Sequence, residues 1–227
     1  MRTAAILPVK RFAQAKQRLG ASVADPLRLE LARAMVGDVL AALTETASIE
    51  RTVVVTGEPA VAAAARGQGA IVIDDTAQDG QSAAVTLGVA GILTEGIERA
   101  LCIPGDCPTL DPSELEALLS SSGSSEPEVV IVPDRHGTGT NGLLLAPGDA
   151  ITPSFGPDSC ERHRALARAA GVRWRIERPP SLLLDIDTGD DLTALRARLS
   201  AEHVRAPRTR AVLDSAQTPW QAFSPAA

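Results

Sequence analysis

Leu101-Cys102-Ile103-Pro104-Gly105-Asp106-Cys107-Pro108-Thr109-Leu110 holds an apolar run that stops at a Pro-Gly break, then one carboxylate and another proline. The run is short and follows Glu98-Arg99, so residues 100–103 read as a buried strand. In an open parallel sheet, ligands sit beyond the carboxyl ends of the strands. An acid held there by a rigid Gly-Asp-x-Pro corner is well placed to hold a cation. The competing reading is a turn that uses Asp and Pro only for their backbone habits, and the flanking chain has to decide between the two.

Upstream, Thr3 to Val9 (TAAILPV) reads as a first buried strand running into a basic loop, residues 10–20. Asp25-Pro26 then opens a long helix, with Asp as N-cap and Pro at the first helical position. Its apolar face is Leu27, Leu31, Met35, Val36, Leu40 and Leu43. Further strands are expected at 51–56, 70–73, 128–132, 142–146, 172–176 and 182–186, with helices at 59–68, 82–93, 111–119, 159–170 and 188–199. Asp111 with Glu114 carries N-cap and capping-box residues, Ser159 is an N-cap candidate, and Thr188, with Asp191 three residues on, caps the last helix. Strands alternating with helices through the first half imply an α/β fold, a mostly parallel sheet covered on both faces. Residues 1–200 are expected to form one domain. The polar, Pro-dotted stretch 201–227 reads as a disordered or loosely docked tail.

Composition narrows the classes. With 227 residues and 44% apolar side chains the chain can bury a sizeable core, and with 2% aromatics that core must be Ala, Val, Leu and Ile. A formal charge of −6 and the lack of a basic block interleaved with aromatics argue against nucleic acid as a partner. Three cysteines without CxxC spacing imply neither a disulfide framework nor a zinc site. No apolar run approaches a membrane span, and the chain enters a strand at once, so a cytoplasmic location without membrane attachment is expected.

Three further stretches could carry chemistry. Lys10, Arg11, Lys16 and Arg18 crowd the loop after the first strand, which suits a polyphosphate or, blandly, solvent. Neither a GxGxxG nor a GxxxxGK[ST] signature is present. In Asp185-Ile186-Asp187-Thr188, carboxylates at i and i+2 of a strand point the same way. They repel unless a cation such as Mg²⁺ lies between them, which takes carboxylate and phosphate oxygens together; alternatively Asp187 merely caps the last helix. Gly137-Thr138-Gly139-Thr140-Asn141 and Phe155-Gly156-Pro157-Asp158-Ser159 offer N–H groups, hydroxyls and a helix start suited to an anion, or ordinary turn and cap chemistry. His163, one turn into that helix, is either an anion ligand or a structural histidine. No histidine sits near a Ser or Cys in a way that suggests nucleophilic catalysis.

Taken in order, these motifs resemble the guanylyltransferase family of coenzyme F420 biosynthesis, the phosphoenolpyruvate or 2-phospho-L-lactate guanylyltransferases, relatives of the molybdenum-cofactor guanylyltransferases. The matching stretches are Leu7-Pro8-Val9-Lys10 with Ala15-Lys16-x-Arg18-Leu19, Pro104-Gly105-Asp106-x-Pro108, Asp134-Arg135-x-Gly137-Thr138-Gly139-Thr140-Asn141, Phe155-Gly156-Pro157-Asp158-Ser159 and Asp185-Ile186-Asp187-Thr188. They span roughly residues 3–199. The resemblance implies a three-layer α/β/α fold like that of nucleotide-diphospho-sugar transferases, with a mostly parallel, mixed sheet. It also implies that Lys10 and Lys16 hold the phosphates of GTP, with Leu7, Pro8, Gly80, Ser82, Pro104 and Gly105 completing the nucleotide side. Asp106, Asp185 and Asp187 would ligate Mg²⁺, making these three and Lys16 the catalytic set. Thr140, Gly156 and Ser159 match positions that bind a phosphorylated three-carbon acid. One departure concerns the nucleobase: where the family often has Gly-Leu-Asn, this chain has Gly80-Gln81-Ser82.

The implied reaction is attack by a substrate phosphate on the α-phosphorus of GTP. Such a phosphate is largely dianionic at neutral pH, its second pKa being about 6, so no general base is required. Phosphoenolpyruvate is the expected acceptor, because the Ala/Arg-rich composition looks like that of a high-GC bacterium and the family's bacterial members are associated with that substrate. Alternatives are 2-phospho-L-lactate as acceptor, a molybdopterin guanylyl- or cytidylyltransferase, or a non-catalytic nucleotide-binding module. The sequence allows a homodimer without deciding the oligomeric state.

Overall fold

The computed structural model describes residues 1–12, 19, 24–122, 126–201 and 204–217. Seven strands form one sheet in the order β3-β2-β1-β4-β6-β5-β7. They are β1 Thr3–Val9, β2 Arg51–Thr56, β3 Ile71–Asp74, β4 Arg99–Cys102, β5 Glu128–Pro133, β6 Thr140–Ala146 and β7 Arg173–Ile176. β6 runs antiparallel to both of its neighbours, β4 and β5, while the other pairings are parallel. A short loop, residues 134–139, joins β5 to β6, and so short a connection can only return the chain antiparallel.

The central strands are apolar along their length because both sheet faces are covered. Ala5, Leu7 and Val9 of β1 face a layer built by α1 Asp25–Glu45, α2 Pro59–Gly67 and α4 Pro112–Ser120. Ala4 and Ile6 face the opposite layer, α3 Gln81–Thr94 and α5 Ser159–Ala169. Gly88 lets α3 approach that closely, since a Cβ there would sit 2.6 Å from Ile6 Cγ2. This is the three-layer, mixed-sheet architecture implied by the sequence.

A third cluster joins Leu31 and Met35 of α1 to Leu192, Leu195 and Leu199 of α6 Gly189–Leu199 and to Leu213 of α7 Pro207–Gln217. Here the sequence reading needs correction. Residues 207–217 are not a loose tail; they form a helix packed against α1. Asp38 of α1, buried, accepts from the backbone N–H groups of Arg208 (3.1 Å) and Thr209 (2.8 Å), so it caps α7 from another element.

Other local expectations also shift. Ala24, not Asp25, is the N-cap of α1, and Asp25 instead pairs with Arg28 at 3.1 Å. Asp111 does cap α4, but Glu114 accepts from Ser181 N at 2.8 Å rather than closing a box. Residues 182–186 are not a strand. Pro179 and Pro180 lack N–H groups and lead into a 3₁₀ turn, Pro180–Leu182. The chain then crosses the carboxyl edge of the sheet, so Leu182 and Leu183 pack in the first cluster while Leu184 and Ile186 pack in the third.

Asp38→Ala should leave two buried N–H groups at the start of α7 without an acceptor and lower stability by about 2 kcal/mol. Urea unfolding of the full chain measures this; an unchanged midpoint would show that the two bonds from Asp38 do not stabilise the docking of α7.

Candidate active site

A cleft of roughly 730 Å³ opens at the carboxyl edge of the sheet. Strand order reverses beside β1, with β2 on one side and β4 on the other, and such a switch point leaves a crevice where the connections diverge. Pro8, Val9 and Lys10 enter from the end of β1, Gly80 and Gln81 from the start of α3, and Pro104, Gly105 and Asp106 from the corner after β4. The β5–β6 loop, the loop before α5 and the segment bearing Asp185 and Asp187 close the rest.

One wall is acidic. The N–H of Ile186 donates to the carbonyl of Asp106 at 3.1 Å, which sets the Asp106 corner against the Asp185–Asp187 segment. Asn141, buried, donates through Nδ2 to Asp185 Oδ1 (3.1 Å) and to the Leu182 carbonyl (2.9 Å). Burial, and next the negative charge of Asp106, push the Asp185 carboxyl above the usual carboxylate range; the bond from Asn141 opposes them. Asp187 N and Thr188 N both donate to Asp191 Oδ2, closing the box at the start of α6, and Arg135 pairs with Asp191 at 2.6 Å.

Among the described residues, no group of three or more His, Cys, Asp or Glu is gathered closely enough to hold a metal ion by itself. The donor chemistry nevertheless suits Mg²⁺. That ion is usually held by one or two carboxylates together with waters and substrate phosphates rather than by an all-protein cage. Asp185 is held against the charge of Asp106, a repulsion that a cation would relieve.

A second part of the lining is built from hydroxyls and amides. Ser159 Oγ donates to Thr140 Oγ1 at 3.0 Å, and His163 Nδ1 lies 3.1 Å from the same oxygen. The loop before α5 is pinned from several sides. Ser154 N donates to His163 Nε2 (2.9 Å), Phe155 N donates to Ser82 Oγ (2.8 Å), and Arg162 donates to the carbonyls of Ser154, Phe155 and Pro157. The Phe155 and His163 rings meet edge to face. Asp158, not Ser159, is the N-cap of α5; it holds a left-handed φ of 55° and makes no side-chain cap bond. That frees the Ser159 hydroxyl, at the first helical position, for Thr140.

Most residues singled out from the sequence line this cleft: Pro8, Lys10, Gly80, Pro104, Gly105, Asp106, Thr140, Gly156, Ser159, Asp185 and Asp187. Two do not. Leu7 is fully buried in the core between the sheet and α1, because alternate residues of β1 face that layer. Ser82 lies behind the wall and supports it through Phe155 N. Lys16 lies outside the described residues. The sequence reading gave no partner to Asn141 and did not single out the Arg135–Asp191 pair. The spacing of Ser159 and His163, four apart on one helix, was the legible sign that both reach Thr140.

The chain is also similar to known proteins. The family profile described as "Guanylyl transferase CofC like" matches residues 3–206. A phosphoenolpyruvate guanylyltransferase of Conexibacter woesei is 50% identical over 214 residues, covering 94% of this chain and 96% of its own. One from Rubrobacter xylanophilus is 40% identical over 194 residues, covering 85% and 93%. Among solved structures, a Desulfovibrio desulfuricans protein provisionally described as a nucleotide-diphospho-sugar transferase superposes with a TM-score of 0.74 at 17% identity, covering 96% of each chain. A nucleotidyl transferase from Methanothermobacter gives 0.62 at 21%, covering 88% of this chain and 98% of its own. These two likenesses speak to the fold.

Burial, with the charge of Arg162 adding to it, pushes the His163 imidazole down to about 4 from an ordinary value of 6.5. The unfolded chain therefore takes up this proton below about pH 6.5 and the folded protein only near 4, so stability falls as pH drops through that interval. Between pH 7 and 4 the wild type should lose up to about 3 kcal/mol more than His163→Gln, measured by urea unfolding at each pH. Equal losses would show that the ring protonates freely in the folded state.

Proposed function

The chain belongs to the CofC-like guanylyl transferase family, and from that premise we propose that it transfers GMP from GTP to the phosphate of phosphoenolpyruvate. A non-bridging phosphate oxygen of phosphoenolpyruvate attacks the α-phosphorus. The α–β bridging bond breaks, and pyrophosphate leaves with the electron pair. The product is enolpyruvyl-2-diphospho-5'-guanosine, which would enter coenzyme F420 biosynthesis in the cytoplasm. The observation that carries this reading is the make-up of the cleft: Asp106, Asp185 and Asp187 line it together with Thr140, Gly156 and Ser159 at the start of α5.

The nucleophile arrives already ionised, since the second pKa of a phosphate monoester is about 6. A general base would therefore add little, and the obstacle is repulsion between two anions. Lys10, at the end of β1, would meet the phosphates of GTP, and the family motif gives Lys16 the same task. Asp106, Asp185 and Asp187 would hold Mg²⁺, whose contribution when bound is to neutralise phosphate charge. The N-terminus of α5, with Thr140, Gly156 and Ser159 around it, favours the anionic acceptor.

Pyrophosphate release from GTP, Mg²⁺ and phosphoenolpyruvate tests the reaction, and omission of the acceptor should abolish it. Asp106→Asn and Asp187→Asn should each lower kcat by about 10²-fold or more while the circular dichroism spectrum is kept. Near-normal turnover in both would remove the metal assignment. Lys10→Ala should act chiefly on GTP, raising its KM about tenfold.

A further inference from the structure

Thr140 lines the cleft, and its hydroxyl is held by two partners, one of which dictates its polarity. Ser154 N, a backbone amide, can only donate, and it does so to His163 Nε2 at 2.9 Å. Nε2 must therefore present its lone pair. The ring is fully buried and neutral at physiological pH, so its proton resides on Nδ1. Nδ1 lies 3.1 Å from Thr140 Oγ1, which makes His163 the donor and Thr140 the acceptor.

Ser159 Oγ donates to the same oxygen at 3.0 Å. A hydroxyl oxygen has two lone pairs, and here both are taken. The Thr140 proton is then the one polar feature the group has left to offer a ligand. If the two hydroxyls exchange roles, one proton of the pair still remains for the cleft, because His163 feeds a donor into the chain from behind.

We propose that His163 is a positioning residue that, by donating to Thr140, leaves one hydroxyl proton of the Thr140–Ser159 pair to be given to the acceptor substrate. This rests on the acceptor site proposed above and adds what the pair offers there: a proton for an oxygen of the substrate's phosphate or carboxylate. The ring acts through Thr140 and touches no reacting atom.

Two variants separate the bonds of the ring. His163→Asn puts an amide N–H near the position of Nδ1 and can still donate to Thr140, whereas His163→Gln reaches Ser154 N and gives up Thr140. His163→Gln should raise the KM for phosphoenolpyruvate about tenfold, with kcat and the KM for GTP changed by no more than about twofold. His163→Asn should recover most of that loss, to within about threefold of the wild type. An unchanged phosphoenolpyruvate KM in His163→Gln, or equal damage in both variants, overturns the proposal. Nitrogen-15 NMR of the ligand-free wild type at neutral pH provides the independent arm. A protonated Nδ1 with a bare Nε2 supports the assignment, and a proton on Nε2 defeats it. That measurement needs no substrate. If the wild type releases no pyrophosphate with phosphoenolpyruvate, the reading of the reaction fails separately.

Discussion

Across 3.1 Å the backbone N–H of Ile186 donates to the carbonyl of Asp106, and through that bond two segments far apart in the chain bring their carboxylates to one cleft. The juxtaposition works against stability. Burial raises the cost of a charge, and a second carboxylate nearby raises it again, which is the environment Asp185 occupies. Such a site persists only where the surroundings over-determine it. Asn141 supplies that constraint, because its Nδ2 is shared between the Leu182 carbonyl and Asp185, so the carboxylate is oriented by the backbone of the crossing segment. Capping of α6 by Thr188, and the grip of Asp191 on Asp187 N, fix the other side.

The hydroxyl-bearing part of the lining is held by a different device. Residues 154–157 have no regular structure, yet their backbone groups are taken by side chains of α5 and by Ser82. Arg162 and His163 follow one another and fasten the same loop through different atoms. A loop secured in this way can present Gly156 at a φ of 111°, a conformation costly for any other residue, without collapsing into the cleft. Electrostatics of this kind aids catalysis because the donors need not reorganise when charge develops.

Local physics was legible in the sequence; long-range physics was not. The β1 run, the Pro-Gly stop after β4 and the Thr188–Asp191 box are set by neighbouring residues, and the structure has them. Residues 182–186 carry the same apolar signal as a buried strand, but periodicity cannot tell a strand from a segment that fills two clusters while crossing a sheet edge. The docking of α7 depends on Asp38, whose partners are 170 and 171 positions away. A polar helix whose cap lies on another element reads as a tail. Leu7 shows a further limit: belonging to a motif does not put a side chain in the cleft when its strand turns it to the core.

These strands of reasoning meet at α1. Its Met35 and Val36 line the cleft, Met35 also belongs to the cluster that receives α6 and α7, and Asp38 caps α7. The position of α1 therefore bears on both the shape of the cleft and the anchoring of the C-terminal helix. Gly105 sets how closely α1 approaches, since a Cβ there would lie 3.0 Å from Val36 Cγ2. That contact explains why the corner after β4 is Gly-Asp and not merely an acid in a turn. The glycine lets α1 close over the end of the strand, the following aspartate then faces the cleft, and neither residue could exchange places with the other without losing both effects.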